Sequence, residues 1–142
     1  MSGYSGTPLA KKLGIKAAHR VGLIGAPDGF EETLEPLPDD VVIRYRARGR
    51  FDVIVFFVDR EAHLRRRFTR LSHRLRAAGG FWIGWPKKAS KVPTDLSFDV
   101  VQTVGLNEGL VDNKICAIDE TYSGLRFVVG VENRADWPPQ CR

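Results

Sequence analysis

Gly25, Asp28 and Gly29 fall in the stretch Gly25-Ala26-Pro27-Asp28-Gly29, directly after the apolar run Val21-Gly22-Leu23-Ile24. Glycines at a strand exit let a phosphate approach the backbone closely, so this loop is a candidate ligand contact. It matches neither phosphate fingerprint, because Gly-x-Gly-x-x-Gly and Gly-Lys-Ser/Thr are both absent, and the plain alternative is a tight turn. Lys87, Lys88 and Ser90 form a second candidate in Lys87-Lys88-Ala89-Ser90-Lys91. Ammonium groups beside the amides of a helix start make a site for a phosphate or carboxylate; the alternative is a solvated loop. The adjacent acids Asp119 and Glu120 offer a general acid/base pair, although in a hairpin loop such residues more often form the turn. His19, His63 and His73 have no metal-ligand spacing with one another or with Cys116 and Cys141, so no metal is expected. No Gly-x-Ser-x-Gly elbow or Cys/His signature appears, which leaves the catalytic residues unknown.

A third surface is electrostatic. Residues 44–76 hold eleven arginines against Asp52, Asp59 and Glu61, while the remainder of the chain is mildly acidic, within an overall charge of +5. Arg66, Arg67, Arg70 and Arg74 on a helix would suit the phosphates of nucleic acid. The competing reading is the wet face of a helix packed on a sheet, since no exposed aromatic residues are interleaved for base stacking.

The elements that position these residues follow from periodicity. Thr7 to Gly14 reads as a short helix anchored by Leu9 and Leu13. Val21 to Ile24 reads as a buried strand, Phe30 to Leu37 as a turn or two of helix stopped by Pro36 and Pro38, and Val41 to Arg46 as a strand of undetermined direction. Phe51 to Val58 is nearly continuous in apolar residues, as in a central strand covered on both faces. From Arg60 to Ala78 the apolar residues Leu64, Phe68, Leu71, Leu75 and Ala78 recur at helical steps, which predicts a long helix ended by Gly79-Gly80. A strand over Phe81 to Trp85 follows, then a helix capped by Thr94 or Asp95 and carrying Leu96, Val100, Val101 and Val104. Leu110 to Ile118 and Leu125 to Val131 form an antiparallel hairpin, and the tail from about residue 133 is expected to be loose.

This alternation predicts one α/β domain over residues 1–142, a three-layer Rossmann-like sandwich with a mostly parallel sheet and a C-terminal antiparallel hairpin. At 142 residues and 15.9 kDa such a chain buries roughly two thirds of its unfolded surface and needs no disulfide. Two cysteines without a pairing pattern suit a reducing, cytoplasmic setting. The longest apolar run, Val53 to Val58, is far too short to span a membrane, so no membrane association is expected. In open sheets of this kind ligands gather at the carboxyl ends of the strands, which is where Gly25–Gly29, Asp59-Arg60 and Pro86–Lys91 are placed.

Four stretches resemble the bacterial family catalogued as domain of unknown function 3052: Gly3 to Gly14, Phe51 to Phe57, Trp85 to Ser90, and Gly109 to Lys114 running on to Asp119 to Leu125. The resemblance spans about Tyr4 to Asn133 and implies a small cytoplasmic bacterial protein, with no activity attached. More broadly, the order of a Phe-Asp strand, a long helix, a strand ending in Pro-Lys, another helix and a hairpin is similar to the later half of Rossmann-type methyltransferases. That likeness implies S-adenosylmethionine as cofactor. Such enzymes usually carry an acidic multi-glycine loop after strand one and an acid after strand two. Here Arg44, Arg46 and Arg48 follow strand two, and arginines suit a phosphate better than a ribose diol.

The leading expectation is a module without demonstrable catalysis that binds a small anionic ligand or a protein partner through Gly25, Asp28, Gly29, Lys87, Lys88 and Ser90. A divergent S-adenosylmethionine-dependent methyltransferase holding its cofactor at Asp28 is the alternative. Nucleic-acid binding through the arginine-rich helix is a third.

Overall fold

A computed structural model describes residues 7–139. Six strands form one sheet in the order β2-β1-β3-β4-β6-β5, with β1 at Arg20–Ile24, β2 at Val42–Arg44, β3 at Phe51–Phe57, β4 at Leu75–Pro86, β5 at Leu110–Ala117 and β6 at Tyr122–Val129. The first four are parallel, and β6 runs antiparallel to both β4 and β5. Helices cover both faces. The short α1 (Leu9–Lys12) and α2 (Phe30–Thr33) lie on one side, and α3 (Glu61–Ser72) and α4 (Phe98–Asn107) on the other. The chain is therefore a three-layer α/β sandwich of Rossmann-like architecture.

Two cores follow from the alternation of side chains across the sheet. Val53, Val55, Phe57 and Trp82 face α1 and α2, whereas Ile54, Phe56, Phe81 and Ile83 face α3 and α4. Burial on both faces is why β3 reads as an unbroken apolar run. On α3, Leu64, Phe68 and Leu71 supply the buried stripe, and the Phe68 ring lies 5.0 Å from Phe81 and 5.7 Å from Phe127.

The direction of β2 is parallel to β1. A direct return to β3 is possible because β2 is only three residues long and rises about 10 Å, while the six residues Tyr45 to Arg50 can reach up to ~20 Å. Arg20 Nη2 donates to the Arg48 carbonyl at 2.6 Å, so the loop passes beneath the start of β1.

Three expected boundaries are corrected. The long helix stops at Ser72 instead of continuing to Ala78, because Leu75 pairs with Phe51 and begins β4. Leu75 is spaced four residues from Leu71, so a buried strand residue continued the helical stripe by coincidence of spacing. Gly79 and Gly80 consequently sit inside a strand rather than ending a helix. A Cβ on Gly79 would approach the Asp52 carbonyl to 2.5 Å, and one on Gly80 would strike the Arg126 guanidinium. Second, the cap of α4 is Ser97, whose hydroxyl accepts from the Val100 amide. Asp95 instead accepts from the amide of Glu61, at the start of α3, and Thr94 Oγ1 donates to the Asp59 carbonyl. Third, the chain from Val131 to Asp136 forms a 3-10 helix, and Trp137 packs edge-on against His73 at 5.5 Å. The part of the expected loose tail up to Trp137 is therefore held to the body; Cys141 lies outside the described residues. No described helix is long and apolar enough to cross a membrane.

Candidate functional site

The parallel strands β1, β3 and β4 end on the same side of the sheet, and their exit loops adjoin. The Val58 amide donates to the Gly84 carbonyl at 2.9 Å, and the Thr94 hydroxyl reaches Asp59 at 2.7 Å. Beside the β1 exit, toward the β2 edge, lies a groove of about 510 Å³, within the usual range for small-molecule sites.

It is lined by the loop Ala26 to Phe30, by the acidic residues Asp28, Glu31, Glu32 and Glu35, and by Tyr45, just after β2. Gly25, below the groove, has φ +71, and a Cβ there would approach the Phe57 carbonyl oxygen to 2.8 Å. Only glycine lets β1 leave the sheet against the β3 backbone in this way. Gly29 also has a left-handed φ, +78, but no atom lies within 4 Å of its Cβ position, so the groove above it is open. Phe30 is buried and meets Phe57 edge-on at 4.9 Å, and Phe57 meets Tyr122 at 5.0 Å. This aromatic series ties α2 to the sheet and holds the groove's shape.

Tyr45 is 53% exposed, and its hydroxyl donates to Glu31 Oε1. That hydrogen bond, then burial and the Glu31 charge, raise the phenol above its ordinary value, which keeps it protonated as the donor. Burial and the charges of Asp119 and Asp59 raise Tyr122 as well.

Of the six residues expected at a ligand site, Asp28 and Gly29 line the groove and Gly25 forms the turn beneath it. Lys87, Lys88 and Ser90 do not line it. They follow β4, two strands away or about 10 Å across the sheet. There the Lys87 amide donates to the Thr121 carbonyl, and Ser90 Oγ donates to the Lys87 carbonyl while accepting from Val92. The Ser90 hydroxyl is thus engaged in its own turn. Asp119 Oδ1 accepts from the amides of Thr121 and Tyr122 at 2.8 and 2.7 Å, which makes it the turn former of the hairpin. Glu31, Glu32, Glu35 and Tyr45 were not anticipated. The signal available in the sequence was the density of acids in Phe30 to Glu35, directly after the glycine loop. No group of three His, Cys, Asp or Glu among the described residues is arranged to hold a metal ion.

No family model matches the chain, so the resemblance to domain of unknown function 3052 gains no support there. No curated protein matches it either. Solved structures do. The magnesium protoporphyrin IX methyltransferase of Synechocystis PCC 6803, solved with bound SAM, superposes with a TM-score of 0.57 at 6% identity, covering 86% of this chain and 74% of that one. The ribosomal protein L11 methylase of Lactobacillus delbrueckii subsp. bulgaricus gives 0.53 at 12%, covering 85% and 74%. Fibrillarin of Aeropyrum pernix, with natively bound S-adenosyl-L-methionine, gives 0.54 at 12%, covering 89% and 70%. The fold is that of Rossmann-like methyltransferases. At these identities the likeness extends to the fold alone.

Proposed function

We propose that the chain is a divergent S-adenosylmethionine-dependent methyltransferase domain whose cofactor lies in the groove beside the β1 exit. The observation that carries this reading is the charge of that groove, taken with the fold. S-adenosylmethionine bears a net positive charge, and the residues lining the space include four acids and no lysine or arginine. An anionic metabolite, the leading expectation from the sequence, would meet repulsion there. The groove's volume and the bare backbone at Gly29 also suit an extended nucleoside-sized molecule.

When bound, the cofactor supplies a methyl group on a sulfonium. The chain's own residues have three tasks. The Gly25 turn brings the loop backbone against the ligand, the carboxylates attract and orient its cationic centre, and the Tyr45 hydroxyl fixes Glu31. Displacement at a methyl carbon needs no protein nucleophile, which accords with the absence of a Ser, Cys or His catalytic pattern.

Calorimetric titration tests the electrostatic argument. S-adenosylmethionine is expected to bind more tightly than S-adenosylhomocysteine, which lacks the sulfonium charge. Converting Glu31 and Glu35 together to Gln should weaken S-adenosylmethionine about tenfold, since exposed charge contacts contribute roughly 0.2–1 kcal/mol each. The effect on S-adenosylhomocysteine should be smaller. Equal losses for the two ligands would overturn the role given to the carboxylates.

A further inference from the structure

The arginines of the middle segment come from two stretches of sequence that the fold brings side by side. On α3, Thr69 Oγ1 donates to Glu108 at 2.6 Å and the Glu61 amide to Asp95 at 2.7 Å, so one flank of the helix is covered by α4 and the loop before it. Another part of the helix carries Arg67, whose guanidinium stands 5.6 Å over the ring of Phe56 on β3, the residue paired with Ile24 of β1. At its foot the Arg74 carbonyl accepts from the Phe51 amide at 2.8 Å, which sets the arginine loop before β3 against the end of the helix. Ala47, in that loop, packs on the core beneath α3.

No described helix covers β1 and β2 on this face. Val42 is 37% exposed and Arg44 is exposed, while the floor is Gly22 under the Phe51 ring, with the Arg20 guanidinium 4.8 Å over that ring. The result is an open shelf bordered by three arginine-bearing segments: α3 with Arg67 and exposed Arg70, the loop before β3 with exposed Arg46 and Arg48, and the end of β2 with exposed Arg44. Among the described residues, the ion pairs in this region are Arg65 with Glu61 and Arg76 with Asp52, and neither uses a shelf arginine. The eleven Lys or Arg positions from 44 to 76 are all Arg.

We propose that this shelf docks the phosphodiester backbone of a nucleic acid. Planar guanidinium groups pair with phosphate oxygens through two parallel hydrogen bonds, which lysines cannot do, and a row of them along a walled shelf matches a row of phosphates. Contacts of this kind position a strand without reading its sequence. Val42 is the one large apolar side chain exposed on the β1 and β2 part of this face, too little apolar surface to seat in a lipid layer, which favours a strand of phosphates. The proposal is independent of the methyl-transfer reading, because the shelf lies on the face of α3 and the acidic groove on the side of α2.

Fluorescence anisotropy with labelled mixed-sequence single-stranded RNA and DNA, run without S-adenosylmethionine, tests it. Binding is expected at low salt, with affinity falling steeply as salt rises. The triple change Arg46→Gln, Arg67→Gln, Arg70→Gln should weaken binding at least tenfold and flatten the salt dependence. A second variant, Arg44→Gln with Arg48→Gln, leaves the helix untouched and should also weaken it severalfold. Lys87→Gln, Lys88→Gln, Lys91→Gln removes as many charges elsewhere and should change binding less than twofold; the tighter of the RNA and DNA arms names the source. Absence of binding, equal loss in the lysine variant, or preferential binding to phosphatidylserine vesicles would each overturn the proposal.

Discussion

Gly25→Ala is expected to destabilise the protein by about 3 kcal/mol and to abolish binding in the groove. The backbone at Gly25 has φ +71, which costs a residue with a side chain roughly 1–2 kcal/mol. The new methyl group would also sit 2.8 Å from the Phe57 carbonyl oxygen, a backbone atom that cannot swing aside. Relief requires β1 and β3 to separate where they end, adding roughly 1–3 kcal/mol of overpacking and tilting the groove wall. Gly29→Ala is the internal control. It shares the left-handed φ, but no neighbour lies within 4 Å, so about 1 kcal/mol is expected and the groove should persist. Urea denaturation of the two variants separates these effects; equal destabilisation would show that steric contact with β3 is not what Gly25 avoids.

Trp82→Ala carries the largest expected cost to the fold, roughly 3–5 kcal/mol. The side chain is 0% exposed in the middle of β4, in the core facing α1. Its indole Nε1 donates to the Leu13 carbonyl at 3.0 Å, a buried bond spanning 69 residues of sequence. Truncation leaves a cavity and also strands a carbonyl at the end of α1. Trp82→Phe refills most of the volume without restoring the donor, so it should cost about 1–3 kcal/mol, the penalty of the unsatisfied carbonyl. Urea midpoints read both values. A loss for Trp82→Ala no greater than for Trp82→Phe would mean that the site collapses around the missing ring.

The layered α/β architecture was legible because its carriers are periodic. The unbroken run in β3, the stripe Leu64, Phe68, Leu71 and the short turn of the final hairpin each have one physical reading. The α3–β4 junction was not, because Leu75 satisfies a helical spacing while its real partner, Phe51, is distant in sequence and pairs with it only in the sheet. The direction of β2 was undetermined for a related reason: its length, not its composition, permits the parallel return. At the candidate site, the position of Asp28 and Gly29 directly after a strand is what the sequence displays, and both line the groove. Glu31, Glu32 and Glu35 fall in an irregular segment bounded by prolines, where no period marks which way a side chain faces. Tyr45 follows the apolar run of β2 and carries no mark of a site residue, and its hydrogen bond to Glu31 joins residues that sequence spacing does not connect.

The two signs of charge on this surface therefore have separate places. Asp28, Glu31, Glu32 and Glu35 line the groove on the α2 side, and the arginines of residues 44–76 lie on α3, β2 and the loops beside them. A partner that needs positive charge and a cofactor that carries it would not compete for the same ground.

Whether the acidic groove holds S-adenosylmethionine can be read from an NMR titration of nitrogen-labelled protein with that molecule. Saturable shifts are predicted for the amides of Ala26, of Asp28 to Glu32 and of Tyr45, with Lys88 to Ser90 unmoved. No shifts at millimolar ligand, or shifts centred on Lys88 to Ser90, would contradict the prediction.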